Sequence, residues 1–530
     1  MPSYKILFIV PPHVSEKRQA KEVSLASFLA FPYGTLALAS YIRRSASCPQ
    51  TVKVLDLNLH GTDPQYELLS DVLHTFQPDI VGISMMFDSS YKHLGPISRL
   101  VKSAAPGALV LAGGASVSTW WDEIISEQHS VDALCYSEGE LAMTNLVNAQ
   151  DPWEELNKDP WITRESQAAG RAPKAMLLAG IDDAVQIDYS LVDVSHYKME
   201  ETYSPFQYSR KKEARQFFIG TSRGCPFKCV FCALPTLNGR SMRYASLDVI
   251  ERHIRQLIDN FGLNVLTIYD DQLLVNRSRA KQLFRMLAKY NLRIEAPSGF
   301  TAAYIDDEMA QLMKTAGLDT ATLAIESGSD YVLQHVIHKP LRVHQIAPAV
   351  QALHKCGIFV KGFFVIGIPG ERDEDRHTTV QFIKDIGLDW SSINLAYPFR
   401  GTEMYDDCLK RGYISKAVLG NSSFGEYTIQ VPGTDPASIA RFAYTMNLDV
   451  NFVNNHRMRL GDFATAASCF EQIVARFDRH AFAHYFLARA YRNLPGKETS
   501  ADLEMTKYKE IVAEDETWST YATHFGLSSC

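Results

Sequence analysis

The stretch TSRGCPFKCVFCALP, residues 221–235, places three cysteines within eight residues. Cys225, Cys229 and Cys232 have the spacing C-x3-C-x2-C and directly follow the strand-like run FFIGTS. Three thiolates at this spacing bind one face of a metal centre and leave one position without a protein ligand. An iron–sulfur cluster normally has four cysteines, so three indicate an iron that is open to a substrate or cofactor. A structural zinc remains the alternative, although no fourth Cys or His follows at finger or ribbon spacing.

From Phe217 onward, a strand–helix pattern repeats six times. The strand-like runs are FFIGTS, VLTIYDD, RIEAPSG, TLAIESG, FVKGFFVIG and INLAYPF. Helical patterns lie between them, such as residues 246–261 with one apolar stripe. Because right-handed crossovers curl such a sheet, the pattern predicts a partial parallel (βα)6 barrel over residues 213–410. Its functional face is expected at the carboxyl ends of the strands.

The cysteine spacing at the first strand of such a barrel resembles the radical S-adenosylmethionine superfamily. The resemblance implies a [4Fe-4S] cluster on Cys225, Cys229 and Cys232, whose open iron chelates the amino and carboxylate groups of S-adenosylmethionine. An electron from the cluster then cleaves this cofactor to methionine and a 5′-deoxyadenosyl radical. The resemblance also implies an electron donor such as flavodoxin or ferredoxin.

The same resemblance implies contacts to S-adenosylmethionine at the ends of later strands. The matching positions are Phe231 beside the adenine, Asp270 and Asp271 at the methionine ammonium, Glu326 and Ser327 at the ribose, and Gly367 and Gly370 where the backbone meets the adenine. Each position has a simpler interpretation as well. Phe231 also suits a core position, and one of the two aspartates suits a helix N-cap.

Residues 1–150 alternate short apolar runs with helical patterns, which predicts a Rossmann-like open parallel α/β sheet. The apolar runs are continuous rather than alternating, as expected for strands buried on both faces. Ligands of such sheets bind at the carboxyl ends of the strands, where Gly113 and Gly114 follow one strand. A cofactor crevice is therefore expected at this edge.

This domain resembles the cobalamin-binding framework D-x-H-x-x-G, S-x-L, G-G. The residues that carry the resemblance, including a G-E-G-E-like turn, are Asp56, Asn58, Gly61, Ser84, Gly113, Gly114, Glu138 and Gly139. Asn58 stands where the cobalt-ligating His would be, so the resemblance implies a cobalamin whose lower face has no His ligand. Such a cobalamin favours the cob(I)alamin state and easy methyl transfer. The alternative is a flavodoxin-like domain that binds another ligand or none.

The remaining parts of the chain are a linker and a helical tail. Residues 151–212 are irregular and proline-containing, which predicts a linker that packs across domains. Residues 411–530 are mainly helical, and GDFATAASCFEQIVARF resembles a tetratricopeptide repeat. This tail is expected either to cap the barrel or a dimer, or to bind a peptide.

Composition and charge exclude several classes of protein. The 530 residues, at about 150 residues per domain, predict three or four domains. With 53 basic and 60 acidic side chains, the net charge of −7 argues against a nucleic-acid or membrane surface. The chain has no apolar run of about 18 residues and no signal-peptide cleavage site at its start. Nine cysteines fit a reducing compartment, so we expect a cytoplasmic protein without nucleic-acid or membrane partners.

The resemblance covers residues 1–410 and follows the domain order of the cobalamin-binding radical enzymes. It implies a cobalamin-dependent methyltransferase that moves a methyl group from S-adenosylmethionine through methylcobalamin to a carbon of a natural-product or peptide substrate. Enzymes with shared motifs catalyse cyclisation or rearrangement without methyl transfer, or methylate by a polar route, so these alternatives stay open. A hypothesis of another class is a metal-stabilised cobalamin-binding adaptor.

Overall fold

The N-terminal part of the chain builds one six-stranded sheet. The computed structural model describes residues 3–13, 31–60, 66–197, 214–416, 419 and 426–527. The strands of the sheet are β1 (Tyr4–Val10), β2 (Gln50–Asp56), β3 (Ile80–Ser84), β4 (Leu109–Gly113), β5 (Ala133–Cys135) and β6 (Trp161–Ile162). They lie in the order β2-β1-β3-β4-β5-β6, and the first five in this order are parallel. Strand β6 is antiparallel to β5 and closes this edge.

Helices cover both faces of this sheet. They are α1 (Tyr33–Ser45), α2 (Glu67–Phe76), α3 (Tyr91–Ala104), α4 (Ala115–Glu127) and α5 (Glu140–Asn148). Alternate residues of β1 enter opposite cores: Ile6 and Phe8 pack with α1 and α5, while Leu7 and Ile9 pack with α2, α3 and α4. The predicted α/β sheet with strands buried on both faces is confirmed.

The segment after this sheet packs against both halves of the chain. It contains α6 (Pro152–Glu155) and α7 (Arg164–Ala168), and it contributes β6 to the sheet. Trp161 and Tyr189 are buried in a core that also contains Phe217, the ring of which lies 5.7 Å from that of Tyr189. Most of the basic patch SRKKEAR lies outside the described residues. The predicted domain boundaries at 150, 212 and 410 stay predictions.

All six strands predicted after residue 213 are present. We refer to these strands and their helices as the six-strand unit. The strands are β7 (Gln216–Ile219), β10 (Val265–Ile268), β11 (Arg293–Glu295), β12 (Thr320–Glu326), β13 (Phe359–Ile366) and β14 (Trp390–Leu395), and a small hairpin pairs β8 (Ser222–Arg223) with β9 (Arg243–Tyr244). They form two parallel sheets, β11-β10-β7 and β12-β13-β14. Isolated parallel bridges, Ile294 to Leu318 and Phe300 to Leu323, connect the sheets. Closure into a partial (βα)6 barrel stays a prediction.

The helices of the six-strand unit form where apolar residues recur at helical spacing. They are α8 (Leu234–Asn238), α9 (Leu247–Phe261), α10 (Arg277–Leu287), α11 (Asp307–Thr315), α12 (Ile346–Lys355), α13 (Asp373–Ile386) and α14 (Glu403–Lys410). In α9, the side chains of Val249, Ile254 and Leu257 are buried at helical spacing. The helix ends at Gly262, whose φ of 67° is the left-handed conformation that glycine adopts without strain.

Seven helical segments follow, and most of them cover one end of the six-strand unit. They are α15 (Pro436–Leu448), a π-helix (Asp449–Val453), α16 (His456–Leu460), α17 (Phe463–Arg476), α18 (Ala481–Tyr491), α19 (Glu498–Glu514) and α20 (Glu516–His524). Phe452 packs with Phe359 and Trp390, which begin β13 and β14. Asn451 hydrogen-bonds both the N–H and the carbonyl of Ser391. The π-helix and later helices therefore cover the amino ends of these strands, whereas Ile439 of α15 lies against Gly367, just beyond the carboxyl end of β13. The likeness of the tail to a tetratricopeptide repeat stays a prediction.

None of the helices in the described part of the chain has both the length and the apolar character that a membrane span requires.

Replacement of Phe452 tests how the C-terminal helices are attached. Its side chain is 1% exposed and lies against the rings of Trp390, Phe470 and Phe486. We expect Phe452→Ala to cost about 3–5 kcal/mol through the cavity it leaves. Thermal unfolding and hydrogen exchange should show the loss in the C-terminal helices first. Phe477→Ala is the matched control because Phe477 is 49% exposed, and an equal loss in that variant would contradict the assignment.

Candidate active site

The three clustered cysteines lie on the loop between β8 and α8, which we call the cluster loop (residues 224–233). The loop is fixed by backbone hydrogen bonds at several points. The N–H of Cys225 donates to the carbonyl of Gly239 at 3.1 Å, and the N–H of Val230 donates to the carbonyl of Ile337 at 3.0 Å. The carbonyl of Val230 accepts from Met404 at 2.9 Å. The loop therefore has a set position relative to three other parts of the six-strand unit.

Gly224 is a site residue that the sequence analysis missed. Its φ is +96°, and a Cβ atom there would lie 2.3 Å from the carbonyl oxygen of Ser241. Both the conformation and the space require glycine directly before Cys225. In the sequence, its position directly before the first cysteine could have identified it as a site residue.

The three thiols share one environment. Burial raises the pKa of Cys229 to about 12 and that of Cys232 to about 11. Cys225 acts electrostatically on both of these thiols and Cys232 acts on Cys229, so the three thiols lie near one another. A metal centre must therefore displace protons from buried thiols when it binds.

The donor set of the cluster loop favours an iron–sulfur cluster. Cys225 is buried, Cys229 and Cys232 are half-buried, and the loop contains no fourth Cys or His. A structural zinc of the finger or ribbon type takes four such ligands, whereas three thiolates leave one iron of a cluster open. The residues present fit an iron–sulfur cluster better than a single zinc ion.

The predicted pair Asp270 and Asp271 divides into two different roles. The buried Asp270 carboxylate accepts hydrogen bonds from the N–H and hydroxyl of Thr221 and from the hydroxyl of Ser222, so it braces the strand that leads to the cluster loop. Asp271 accepts one hydrogen bond, from Asn238 at 3.0 Å, and lines the cavity described below. Burial raises the pKa of Asp271 to about 6. Asp271 is therefore the carboxylate available to an ammonium group.

Glu326 ends β12 beside Lys339, a buried lysine that no sequence pattern marked as a site residue. The Nζ of Lys339 donates to Oε1 of Glu326 at 2.9 Å, and both side chains are buried. Glu326 has a left-handed φ of +76°, which aims its side chain out of the strand. Lys339 also acts electrostatically to lower the pKa of Cys225 and Cys229, so it lies between this carboxylate and the cluster loop.

The other predicted S-adenosylmethionine contacts lie around the same strand ends. Ser327 is buried, and its hydroxyl pairs with that of Thr379 at 3.1 Å. Gly367 has a φ of +88°, and its carbonyl accepts from the hydroxyl of Tyr427 at 2.6 Å. Gly370 has a φ of +101°. Phe231 packs in the apolar group that contains Val230, Ile368 and Tyr427.

A cavity of about 460 Å³ lies between the N-terminal sheet and the residues on either side of the cluster loop. Five predicted cobalamin contacts line it, namely Ser84, Gly113, Gly114, Glu138 and Gly139. From the six-strand unit, its wall includes Arg223, Asn238 and Asp271. Gly114 has a φ of +110°, and a Cβ there would lie 2.7 Å from the carbonyl oxygen of Met85. Glycine at position 114 is therefore required by the neighbouring backbone of Met85. The cavity is smaller than a whole cobalamin, so its lining suits contact with one part of that cofactor.

Two predicted cobalamin contacts lie away from this cavity. The amide of Asn58 donates to Asp56 at 2.8 Å and to the carbonyl of Pro11 at 3.1 Å, and its oxygen accepts from the N–H of His13. Asp56 also accepts from the hydroxyl of Tyr197. No histidine is among the described residues that line the cavity, and Gly61 lies outside the described residues.

Buried ion pairs join the N-terminal sheet to the cluster loop. Arg223 donates to Glu140 at 2.6 Å, and Arg243 pairs with Glu138 at 2.8 Å. Burial alone raises the pKa of Glu140, but the charge and hydrogen bond of Arg223 outweigh it and hold that pKa below its usual value. The two arginines flank the cluster loop in sequence, so these pairs fix the loop against the wall of the cavity.

Comparisons with known proteins agree with this arrangement. The profile of the Radical SAM superfamily matches residues 219–383, and that of the B12 binding domain matches residues 26–147. The cytidylyl-2-hydroxyethylphosphonate methyltransferase of Streptomyces wedmorensis is 26% identical over 411 residues, which cover 72% of this chain and 76% of that protein. The anaerobic magnesium-protoporphyrin IX monomethyl ester cyclase of Rubrivivax gelatinosus is 22% identical over 409 residues, which cover 76% and 70%.

Solved structures have the same fold. The radical S-adenosylmethionine methyltransferase TsrM from Kitasatospora setae, with a tryptophan substrate and a cofactor analogue bound, superposes with a TM-score of 0.60 at 16% identity and covers 83% of each chain. The cobalamin-dependent S-adenosylmethionine radical enzyme OxsB superposes with a TM-score of 0.60 at 14% identity, over 97% of this chain and 84% of that one.

Replacement of Gly224 tests the geometry of the cluster loop without changing a metal ligand. Gly224→Ala places a methyl group against the Ser241 carbonyl, so we expect reconstituted protein to lose most of its iron and of its cluster absorbance. Gly180→Ala is the control, since no atom lies within 4 Å of a Cβ at that position. Iron content equal to that of the unchanged protein in Gly224→Ala would contradict the account.

Proposed function

The chain belongs to the cobalamin-binding radical S-adenosylmethionine enzymes, and we propose that it is a C-methyltransferase acting on a natural-product or peptide substrate. The cofactors of this class are a [4Fe-4S] cluster, S-adenosylmethionine and cobalamin. Together they supply, when bound, a transferable methyl group and a carbon-centred radical. The proposed reaction moves a methyl group from S-adenosylmethionine to a carbon atom of the substrate, and cobalamin, when bound, would supply the methyl carrier.

The observation that carries the proposal is that one cavity reaches both predicted cofactor sites. Its wall runs from Gly114 and Gly139 in the N-terminal sheet to Asn238 and Asp271 beside the cluster loop. A substrate carbon in this space would lie near both a methyl donor and a radical source. This proximity replaces an encounter in solution, which is a large part of what enzymes contribute to such reactions.

Residues of the chain have binding and orienting roles in this proposal. Asp271 receives the ammonium of the methionine part, because Asp270 is already saturated by Thr221 and Ser222. Glu326 accepts hydrogen bonds from the ribose, and Lys339 holds its carboxylate in place. Cys225, Cys229 and Cys232 hold the cluster, and an external donor such as flavodoxin or ferredoxin reduces it.

The position of the C-terminal helices indicates which part of the chain contacts the substrate in this proposal. The π-helix and the helices after it pack at the amino ends of β13 and β14, opposite the cluster loop. By contrast, Tyr413, Tyr427 and Ile429 pack with Val230 of the cluster loop. We therefore propose that Tyr413 and Tyr427, which are half-buried, contact the substrate rather than α16–α20.

Cyclisation or rearrangement without methyl transfer is the second candidate function. The similarity to the Rubrivivax gelatinosus cyclase, over 76% of this chain, favours it. The two candidate functions differ in whether the methyl group of S-adenosylmethionine is transferred to the substrate.

A labelling experiment tests the proposed methyl transfer. Anaerobic protein that carries cobalamin and the cluster is given a strong reductant and S-adenosylmethionine with a deuterated methyl group. We expect mass spectrometry to find the deuterated methyl group on cobalamin, together with 5′-deoxyadenosine. Formation of 5′-deoxyadenosine with unlabelled cobalamin would contradict methyl transfer and support cyclisation or rearrangement.

A matched pair of variants controls this experiment. Asp271→Asn removes the charged acceptor of the ammonium and should weaken binding of S-adenosylmethionine by about 10- to 100-fold. Asp248→Asn removes an exposed carboxylate at the start of α9 and should leave binding unchanged. Equal affinity in both variants would remove Asp271 from the proposed site.

A further inference from the structure

Three potential metal ligands meet at the end of the six-strand unit opposite the cluster loop. His354 lies in the last turn of α12, Asp389 directly precedes β14, and His456 begins α16. Their ligand atoms all lie within 4.8 Å of one another. None of them has a role in the proposed reaction, because the cofactors occupy the carboxyl ends of the strands.

The carboxylate at the centre of this group is fully buried and strongly held. Asp389 accepts from the N–H of Val360, lies 2.9 Å from Nε2 of His354, and is paired with Arg457. Arg457 also pairs with Asp462 at 3.1 Å. The two carboxylates offset the guanidiniums of Arg457 and Arg459, both of which act electrostatically on His456. The Asp389 carboxylate is therefore available to a cation beside the two imidazoles without an excess of positive charge.

The ring of His456 is held by packing, although its Nδ1 atom makes no hydrogen bond. Among the described residues, Nδ1 of His456 is buried and has no hydrogen-bond partner. The ring of His456 lies parallel to that of His354, with centroids 5.5 Å apart and an angle of 7° between the planes. Gly387 makes the space for it, because a Cβ at that position would lie 2.6 Å from the ring. A buried polar atom without a partner is costly, and a bound ion would offset that cost.

We propose that His354, Asp389 and His456 form a zinc site that fastens the C-terminal helices to the six-strand unit. Two imidazole nitrogens, one carboxylate oxygen and one water are a known zinc donor set, which differs from the four Cys or His ligands of a finger or ribbon site. The ion takes the place of the proton between Nε2 of His354 and the Asp389 carboxylate. Ligands on one tetrahedral zinc lie about 3.3 Å apart, so small rotations of these side chains bring them into range.

The site has a structural function because of what it connects. His354 and Asp389 belong to the six-strand unit, whereas His456 belongs to the C-terminal helices. Asn451 and Phe452 join the same two parts nearby. Zinc at this junction stabilises the folded chain by binding it in preference to the unfolded chain.

Metal analysis of the loaded protein tests the proposal. Cobalamin-loaded protein with a complete cluster is stripped with a chelator, desalted anaerobically, incubated with Zn²⁺ alone and desalted again. We expect about one zinc per chain beside about four iron atoms, and a rise of a few degrees in Tm on addition of zinc. His456→Gln should lose this zinc and this rise in Tm while it keeps its iron and its cobalamin.

His344→Gln is the matched control because His344 is exposed and lies outside the group. It should keep both the zinc and the rise in Tm. If His456→Gln does not fold, a calorimetric titration of the unchanged, zinc-free protein still tests the proposal. Absence of one-to-one binding in that titration, or the same zinc content in His456→Gln and the unchanged protein, would overturn it. A fifth iron in place of zinc would overturn the assignment to zinc.

Discussion

The pairing of Glu138 and Glu140 with Arg243 and Arg223 is the interaction on which the rest of the site depends. Removing four charged groups from water costs several kcal/mol for each ion, and the cost is recovered only while each partner stays in place. A shift of the N-terminal sheet against the cluster loop would leave buried charges without partners, at about 3–5 kcal/mol for each broken pair. Because Arg223 and Arg243 flank the cluster loop, the same ion pairs hold both the loop and the cavity wall in position.

The six-strand unit has different tasks at its two ends. At the carboxyl ends of the strands, glycines and left-handed residues such as Gly224 and Glu326 bring the backbone and a carboxylate close to predicted cofactor sites. Lys339 places a positive charge between that carboxylate and the thiols, which offsets part of the negative charge that accumulates there. At the amino ends, aromatic packing and the group around Asp389 hold the C-terminal helices. The predicted cofactor sites and the attachment of the C-terminal helices thus lie at opposite ends of the strands.

Sequence patterns predicted the strands and the cluster loop well because these features depend on residues close together in the chain. The six strands after residue 213, the parallel N-terminal sheet and the position of the cluster loop follow from apolar runs and cysteine spacing. The sequence could not predict Lys339, since its burial depends on its ion pair with Glu326 at the end of β12. It also could not predict the ion pair of Arg223 with Glu140, because these residues are 83 positions apart. Nor could it divide the roles of Asp270 and Asp271, because adjacent carboxylates differ only in which neighbours the fold brings to them.

The most direct test of a shared cavity is anomalous diffraction at the cobalt and iron absorption edges from anaerobic crystals of the loaded protein. The account predicts a cobalt peak in the cavity bounded by Gly114, Glu138 and Asp271, and an iron peak enclosed by Cys225, Cys229 and Cys232. A cobalt peak outside that cavity, for example beside Asn58, would contradict it.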